Sequence, residues 1–418
     1  MKRIPLNVQA PPPPPGQAPG AGAPLVPAWR LVAAFPHRLF FFAAMLVLGI
    51  AAGGWAWTML SRTGIVAVPP LGVAQPLWHV LAMLFGFFAF FMFGFLFTAG
   101  PRWLDVATPP AAHWRPAGLV ALAAALLLFL VPDEAFARGA AALYGLAWLS
   151  LVAAFARLVL ASRAKDKVHA TLVTLAMAAG ASGPLAYAAL ANDAYPWLVF
   201  AGTWLFAVPV FVVVCHRMIP FFTANVLPTV AVFRPWWLLA ALVAGPVAHG
   251  GLEAAGVHGW TWLVDVPLAL LAFDLARRWG LVQSLANRLL AMLHLGFVWY
   301  GIAFALFAAS SLLTLAGAGS LGHAGFHALG MGFCGSLMIA MVSRVTFGHS
   351  GRALAADMLT WGVFLLLQAA IVARLAAALW PYPALLAATA LAWAACMLPW
   401  VVRNLPVYWR PRADGKPG

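Results

Sequence analysis

The residues best equipped for chemistry are histidines set inside apolar runs. His79 opens one such run in QPLWHVLAM, and His327 lies about one turn into another, four residues after His323 and on the same helical face. Placing an imidazole in hydrocarbon is costly, so a functional role is the default expectation for it. Two imidazoles from different helices at one depth can ligate a haem iron axially, and imidazole also suits copper. His294, in NRLLAMLHLGFVW, lies roughly two turns inside the opposite face, at a depth that His349 approaches from its loop. The competing reading is that each histidine bonds a neighbouring carbonyl and serves packing alone. Spacing does not choose between the two.

Basic residues supply a second ingredient. Arg217, Arg344 and Arg352 are expected on one face, where guanidinium groups can grip carboxylates such as haem propionates in bidentate fashion, or serve as anchors at the membrane surface. Arg217 belongs to CHRMIPFFTANVLP, residues 215–228. Its two prolines each remove a helix hydrogen bond, so the helix is expected to end near Pro220 and the chain to lie along the interface. Cys215, Cys334 and Cys396 stand apart in apolar surroundings and form no CxxC pair or disulfide framework. Hydrolase and phosphate-binding motifs are missing, and no residue stands out as a catalytic group. Carboxylates inside apolar runs are scarce, Asp265 and Asp274 being the main ones, which weakens an ion-coupled transport reading.

These groups must be positioned by membrane helices. Of the 418 residues, 64% are hydrophobic and 8% charged, a balance that cannot cover a soluble core. The fold class expected is an all-α polytopic transmembrane bundle of about twelve spans. They lie near 38–59, 78–99, 116–132, 139–156, 168–191, 196–215, 235–252, 258–276, 289–310, 323–343, 355–373 and 380–402. The net charge of +14 belongs to the loops rather than to a nucleic-acid surface. Counted loop by loop, 21 of the 24 Lys and Arg fall on the side of both termini. The other side has Arg62, Arg138 and Arg374 together with Asp133, Glu134, Asp193 and Glu253. Both termini are therefore expected in the cytoplasm. A Pro/Ala/Gly-rich disordered tail (1–30) precedes the spanning domain (31–403), and a short basic tail (404–418) follows it. Many of the 20 tryptophans, including Trp55, Trp57, Trp78, Trp103, Trp197, Trp299, Trp380 and Trp400, are expected at an interfacial aromatic belt.

Several stretches resemble the NnrS family: WHVLAMLFGFFAFFMFGFLFTAG, HRMIPFFT, LHLGFVW and, most specifically, HALGMGFCGSLMIAMVSRVTFGHSGRAL. The resemblance implies a polytopic bacterial inner-membrane protein that binds haem and copper and acts in the response to nitric oxide, often in organisms that denitrify. Carried onto this chain, it points to His79, His294, His327 and His349 as metal-site candidates, with Arg217, Arg344 and Arg352 as the matching basic positions. The family's second span usually reads Trp-His-x-His-Glu-Met. Here Trp78-His79-Val80 is followed by Leu81-Ala82-Met83, so either one metal site is lost or another histidine, such as His323, replaces it.

The expected function is that of an inner-membrane haem protein, with copper as a second metal, acting in nitric-oxide tolerance or signalling. Its expected partners are the lipid bilayer, nitric oxide, and respiratory or denitrification proteins. The rival readings are a cofactor-free transporter of a small molecule or metal, and an assembly factor for a respiratory complex.

Overall fold

A computed structural model describes residues 27–415. The Pro-rich segment up to residue 26 and the last three residues lie outside the described residues, and with them most of the expected first tail. Every described element is helical. Among the described residues, nine stretches are long and apolar enough to cross a membrane. The longest, Val168–Val226, has 59 residues and holds two helices, parted at Ala191, whose φ of +48° no helix accepts. Two shorter helices of 16 and 17 residues complete the series.

In chain order the helices are α1 (Pro36–Ser61), α2 (Gln75–Leu104), α3 (Arg115–Leu130), α4 (Glu134–Ala161), α5 (Val168–Leu190) and α6 (195–226). They continue as α7 (Trp236–Ala254), α8 (Trp262–Arg278), α9 (Arg288–Leu315), α10 (Ala324–His349), α11 (Met358–Leu379) and α12 (Pro383–Asn404). Except at the end of α6, their positions match the apolar runs of the sequence to within several residues, because in an apolar medium each run must satisfy its backbone internally.

Local chemistry sets the ends. Pro36, Pro76, Pro196 and Pro383 occupy first turns, where the missing N–H costs nothing. The side chains of Asp133, Asn287 and Asp357 accept from the backbone N–H of Phe136 (2.9 Å), Leu290 (3.1 Å) and Thr360 (3.0 Å), each cap contributing about 1 kcal/mol. Arg403 also clasps the Asp357 carboxylate, tying the end of α12 to the start of α11.

Helices α1, α2, α6, α9 and α10 form the buried middle, while α7 and α11 are largely peripheral. α1 runs along α2 and α12, α3 along α4, α4 along α5, and α8 along α9. Two expectations are corrected here. Helix α6 does not end at Pro220. It continues to Val226, because Pro220 lies late enough in the helix for the missing bond to be absorbed by its final turns. Nor do all the named tryptophans form a belt. Trp57, Trp197 and Trp380 are exposed, but Trp78 and Trp400 are fully buried. Their indole N–H groups donate to the Phe129 carbonyl and the Ser343 hydroxyl, both at 3.3 Å, which satisfies the polar atom that burial would otherwise strand.

At the end of the bundle where the described chain begins, the last residues form a strap. Arg38 in α1 donates to the carbonyls of Tyr408 (3.2 Å) and Arg410 (2.9 Å), and the Tyr408 and Thr346 hydroxyls share a 2.8 Å bond. The N–H of Ala413 donates to Ser350 at 2.9 Å, pinning the loop that follows α10.

Candidate functional site

His79 and His327 open on one cavity. It encloses about 1050 Å³ at the end of the bundle opposite the strap, between the C-terminal ends of α1, α7 and α11 and the N-terminal ends of α2, α6, α10 and α12. The wall is mostly apolar, with a few converging polar groups, as ligand sites usually are.

Three of the helices around it are not regular. α2 contains a π-helical segment at Leu81–Gly86, α6 one at Ala201–Ala207, and α10 one at Ala328–Gly335. The first and third lie directly beyond His79 and His327. A π segment inserts a residue into the α-helical count and rotates what precedes it, a device found repeatedly at functional sites. The backbone group loosened in α2 is caught from outside, since the Tyr144 hydroxyl donates to the Phe85 carbonyl at 2.7 Å. In α10 the end of the segment is tied by a chain of side chains: Trp299 Nε1 donates to Gln368 Oε1 at 2.6 Å, and Gln368 Nε2 donates to Ser336 at 2.9 Å.

The two imidazoles are held differently. His327 Nδ1 bonds the carbonyl of His323 one turn earlier at 2.8 Å. A carbonyl only accepts, so Nδ1 carries the proton and Nε2 keeps its lone pair, the tautomer that a metal ligand needs. His79 lies against the Trp55 indole, with ring centroids 3.9 Å apart, and its buried Nδ1 has no hydrogen-bond partner. Two other cavity-lining residues carry buried polar atoms without partners, Arg374 Nη1 and Trp393 Nε1. Buried orphans of this kind are uncommon, and three around one cavity mark a place for a polar ligand.

The remaining candidates lie elsewhere. Arg217 reaches the Asp166 carboxylate at 3.3 Å and stacks over Trp103. Arg344 sits 4.0 Å above the Phe222 ring, and Arg352 is exposed in the loop after α10. None of the three lines the cavity, because Arg217 and Arg344 lie in the strap-side halves of α6 and α10 and Arg352 in the loop beyond α10. The arginines that do line it are Arg62 and Arg374. His294 Nε2 and the Thr223 hydroxyl share a 2.9 Å bond, and the His349 ring packs on His37 with centroids 4.4 Å apart, so these two histidines have separate partners.

Haem fits the cavity's donor set, since the porphyrin supplies four iron ligands and leaves two for protein. A copper ion held by protein alone does not fit as well. Among the described residues no three His, Cys, Asp or Glu side chains gather around one point.

Sequence reasoning missed two buried pairs. His169 and His216 share a 2.9 Å bond between ring nitrogens, and His249 meets Asp265 at 2.6 Å. Each partner is a polar residue within or at the edge of an apolar run, which is the available signal. Their pairing depends on how separate helices cross.

Residues 31–412 match the sequence model of a family described as NnrS protein. The chain belongs to the NnrS family. No curated protein matches the sequence significantly. Membership, with the apolar helices, makes this NnrS chain a multi-pass membrane protein related to the nitric-oxide response. The family is known for binding haem and copper, and four histidines line this one cavity, His79, His258, His323 and His327, of which His79 and His327 stand inside spans.

Proposed function

We propose that this NnrS protein holds a haem in the cavity, with His79 and His327 as the protein ligands of the iron, and that it acts in the bacterial inner membrane in the response to or tolerance of nitric oxide. The observation that carries this reading is the pairing of the two span-internal histidines on one cavity, with His327 already fixed in the tautomer that leaves Nε2 free. Arg374 and Arg62, in place of Arg217, Arg344 and Arg352, would meet the propionates. A haem there would supply a redox-active iron centre, open to a small apolar diatomic ligand only where one of the two imidazoles gives way. The residues of the chain orient the imidazoles, balance the propionate charge and limit the access of water. Trp55 fixes the plane of the His79 ring, and His323 fixes that of His327.

The arrangement of basic loops supports cytoplasmic termini, and the inner membrane is the compartment that fits that orientation. Respiratory or denitrification proteins are the partners that such a role would engage. Copper has no equivalent constellation supporting it here.

The test is colour. Protein purified in mild detergent should show a Soret band that shifts on addition of nitric oxide. His79→Ala or His327→Ala should lower haem retention about tenfold or more, in the range seen when a metal's supporting shell is removed. His294→Ala should retain it. Colourless, folded protein from cells supplied with haem would exclude this reading and favour the transporter.

A further inference from the structure

Beside the cavity lies a cluster that iron ligation does not use. His249 in α7 and Asp265 in α8 are both fully buried, and His249 Nδ1 stands 2.6 Å from Asp265 Oδ1. On the other edge of the ring, Nε2 is buried without a hydrogen-bond partner and lies 3.7 Å from Oε1 of Glu253, one turn on in α7. Asp265 Oδ2 is likewise buried and unpartnered. Glu253 is itself part of the cavity wall. The rest of the surroundings are aromatic, with Trp204 from α6 and Phe304 and Phe307 from α9 packed against the imidazole. A further titratable group close enough to sense Asp265, Tyr300 of α9, has its hydroxyl committed to the Leu242 carbonyl, at 3.4 Å.

A carboxylate in so apolar a shell is tolerated only with a compensating proton or cation, and His249 is the group in reach that can carry one. A pair built solely to clamp α7 to α8 would need no second carboxylate facing the free edge of the ring, and would not leave Nε2 unbonded.

We propose that Asp265, His249 and Glu253 form a proton relay that stores a proton beside the cavity and delivers it to the cavity wall. In the loaded state the imidazolium is held by the Asp265 carboxylate through Nδ1–H. In delivery the Nε2–H bond breaks and an O–H bond forms on the Glu253 carboxylate, leaving a neutral imidazole that keeps its Nδ1–H bond to Asp265. Charge and atoms balance within the three residues, and reloading runs the same path in reverse. Glu253 is the member in contact with the cavity, so it is the gate for exchange. The proposal rests on the cavity being the working site, but its test needs no haem.

The test is hydrogen–deuterium exchange at the buried pair, followed by infrared difference spectra of the purified protein after transfer to D₂O, with Asp265→Asn used to assign the bands. Wild-type protein should exchange this pair rapidly. Glu253→Gln, nearly the same in shape but unable to pass the proton, should slow exchange at least tenfold. Asp193→Asn, which changes a different carboxylate of the cavity wall, should leave the rate unchanged. Exchange slowed in neither variant would show a structural clamp, and exchange slowed equally in both would show an effect of cavity hydration. Either result overturns the relay. Failure of haem binding would leave this measurement intact, so the two readings fall separately.

Discussion

At the scale of single residues, the site separates two kinds of positive charge. Arg217 and Arg344 are spent on Asp166 and on aromatic faces, whereas Arg374 presents a buried Nη1 without a partner to the cavity. A charged donor left unbonded in such surroundings costs about 1–3 kcal/mol, a cost relieved when an anion arrives. Arg374→Ala should therefore weaken haem retention by about 10–100-fold, the equivalent of one charge-assisted hydrogen bond, with Arg374→Lys recovering part of it. Titration of apoprotein with haemin, read by absorbance, measures both. The sequence made His79 and His327 legible because imidazole is costly in an apolar run. It did not single out Arg374, which stands in the run IVARLAAAL and counted there simply as one of three basic residues on the acidic side. Arg217, Arg344 and Arg352 drew attention as basic residues sharing one face and then through the family pattern, yet none lines the cavity, and Arg217 and Arg344 meet Asp166 and aromatic rings instead.

At the scale of elements, the π segments determine where the histidines face. Removing one residue from an α-helix turns everything before it by about 100° relative to everything after it, and a π segment is one such extra residue built in. Deleting Gly330 should restore regular α geometry in α10 and swing His327 off the cavity. Circular dichroism is expected to stay near wild type while the Soret band is lost. Retention of both would show that the segment has no positioning role. Nothing in the hydrophobic pattern marked these segments, since the run from Ala324 to Val342 is apolar apart from His327 and Ser336 and periodicity carries little signal there. The helices themselves were readable for the same reason: length and hydropathy suffice where lipid removes every alternative to a hydrogen-bonded helix. Pro220 misled because a proline within the last two turns of a helix removes one backbone bond without ending the helix.

At the scale of the whole molecule, the asymmetry of charge sets an expected orientation, with the cavity on the side that carries few basic residues. Cys215, Cys334 and Cys396 are all buried, so background labelling of the native chain should be low. A cysteine at Val68, which is 63% exposed on the cavity side, should react with a membrane-impermeant maleimide in intact spheroplasts. A cysteine at Lys165, in the exposed turn after α4 on the opposite side, should react only after permeabilisation. The reverse pattern would invert the molecule and put the cavity in the cytoplasm.

The strap closes this molecule on itself in a particular order. Arg38 is translated well before the two carbonyls that receive its guanidinium, those of Tyr408 and Arg410, which lie 370 and 372 residues further on. Until those residues have been made, that arginine has no acceptor from them, and Ser350 waits for Ala413. The loop after α10 therefore gains this restraint only once Ala413 has been made, when two stretches far apart in the chain first meet.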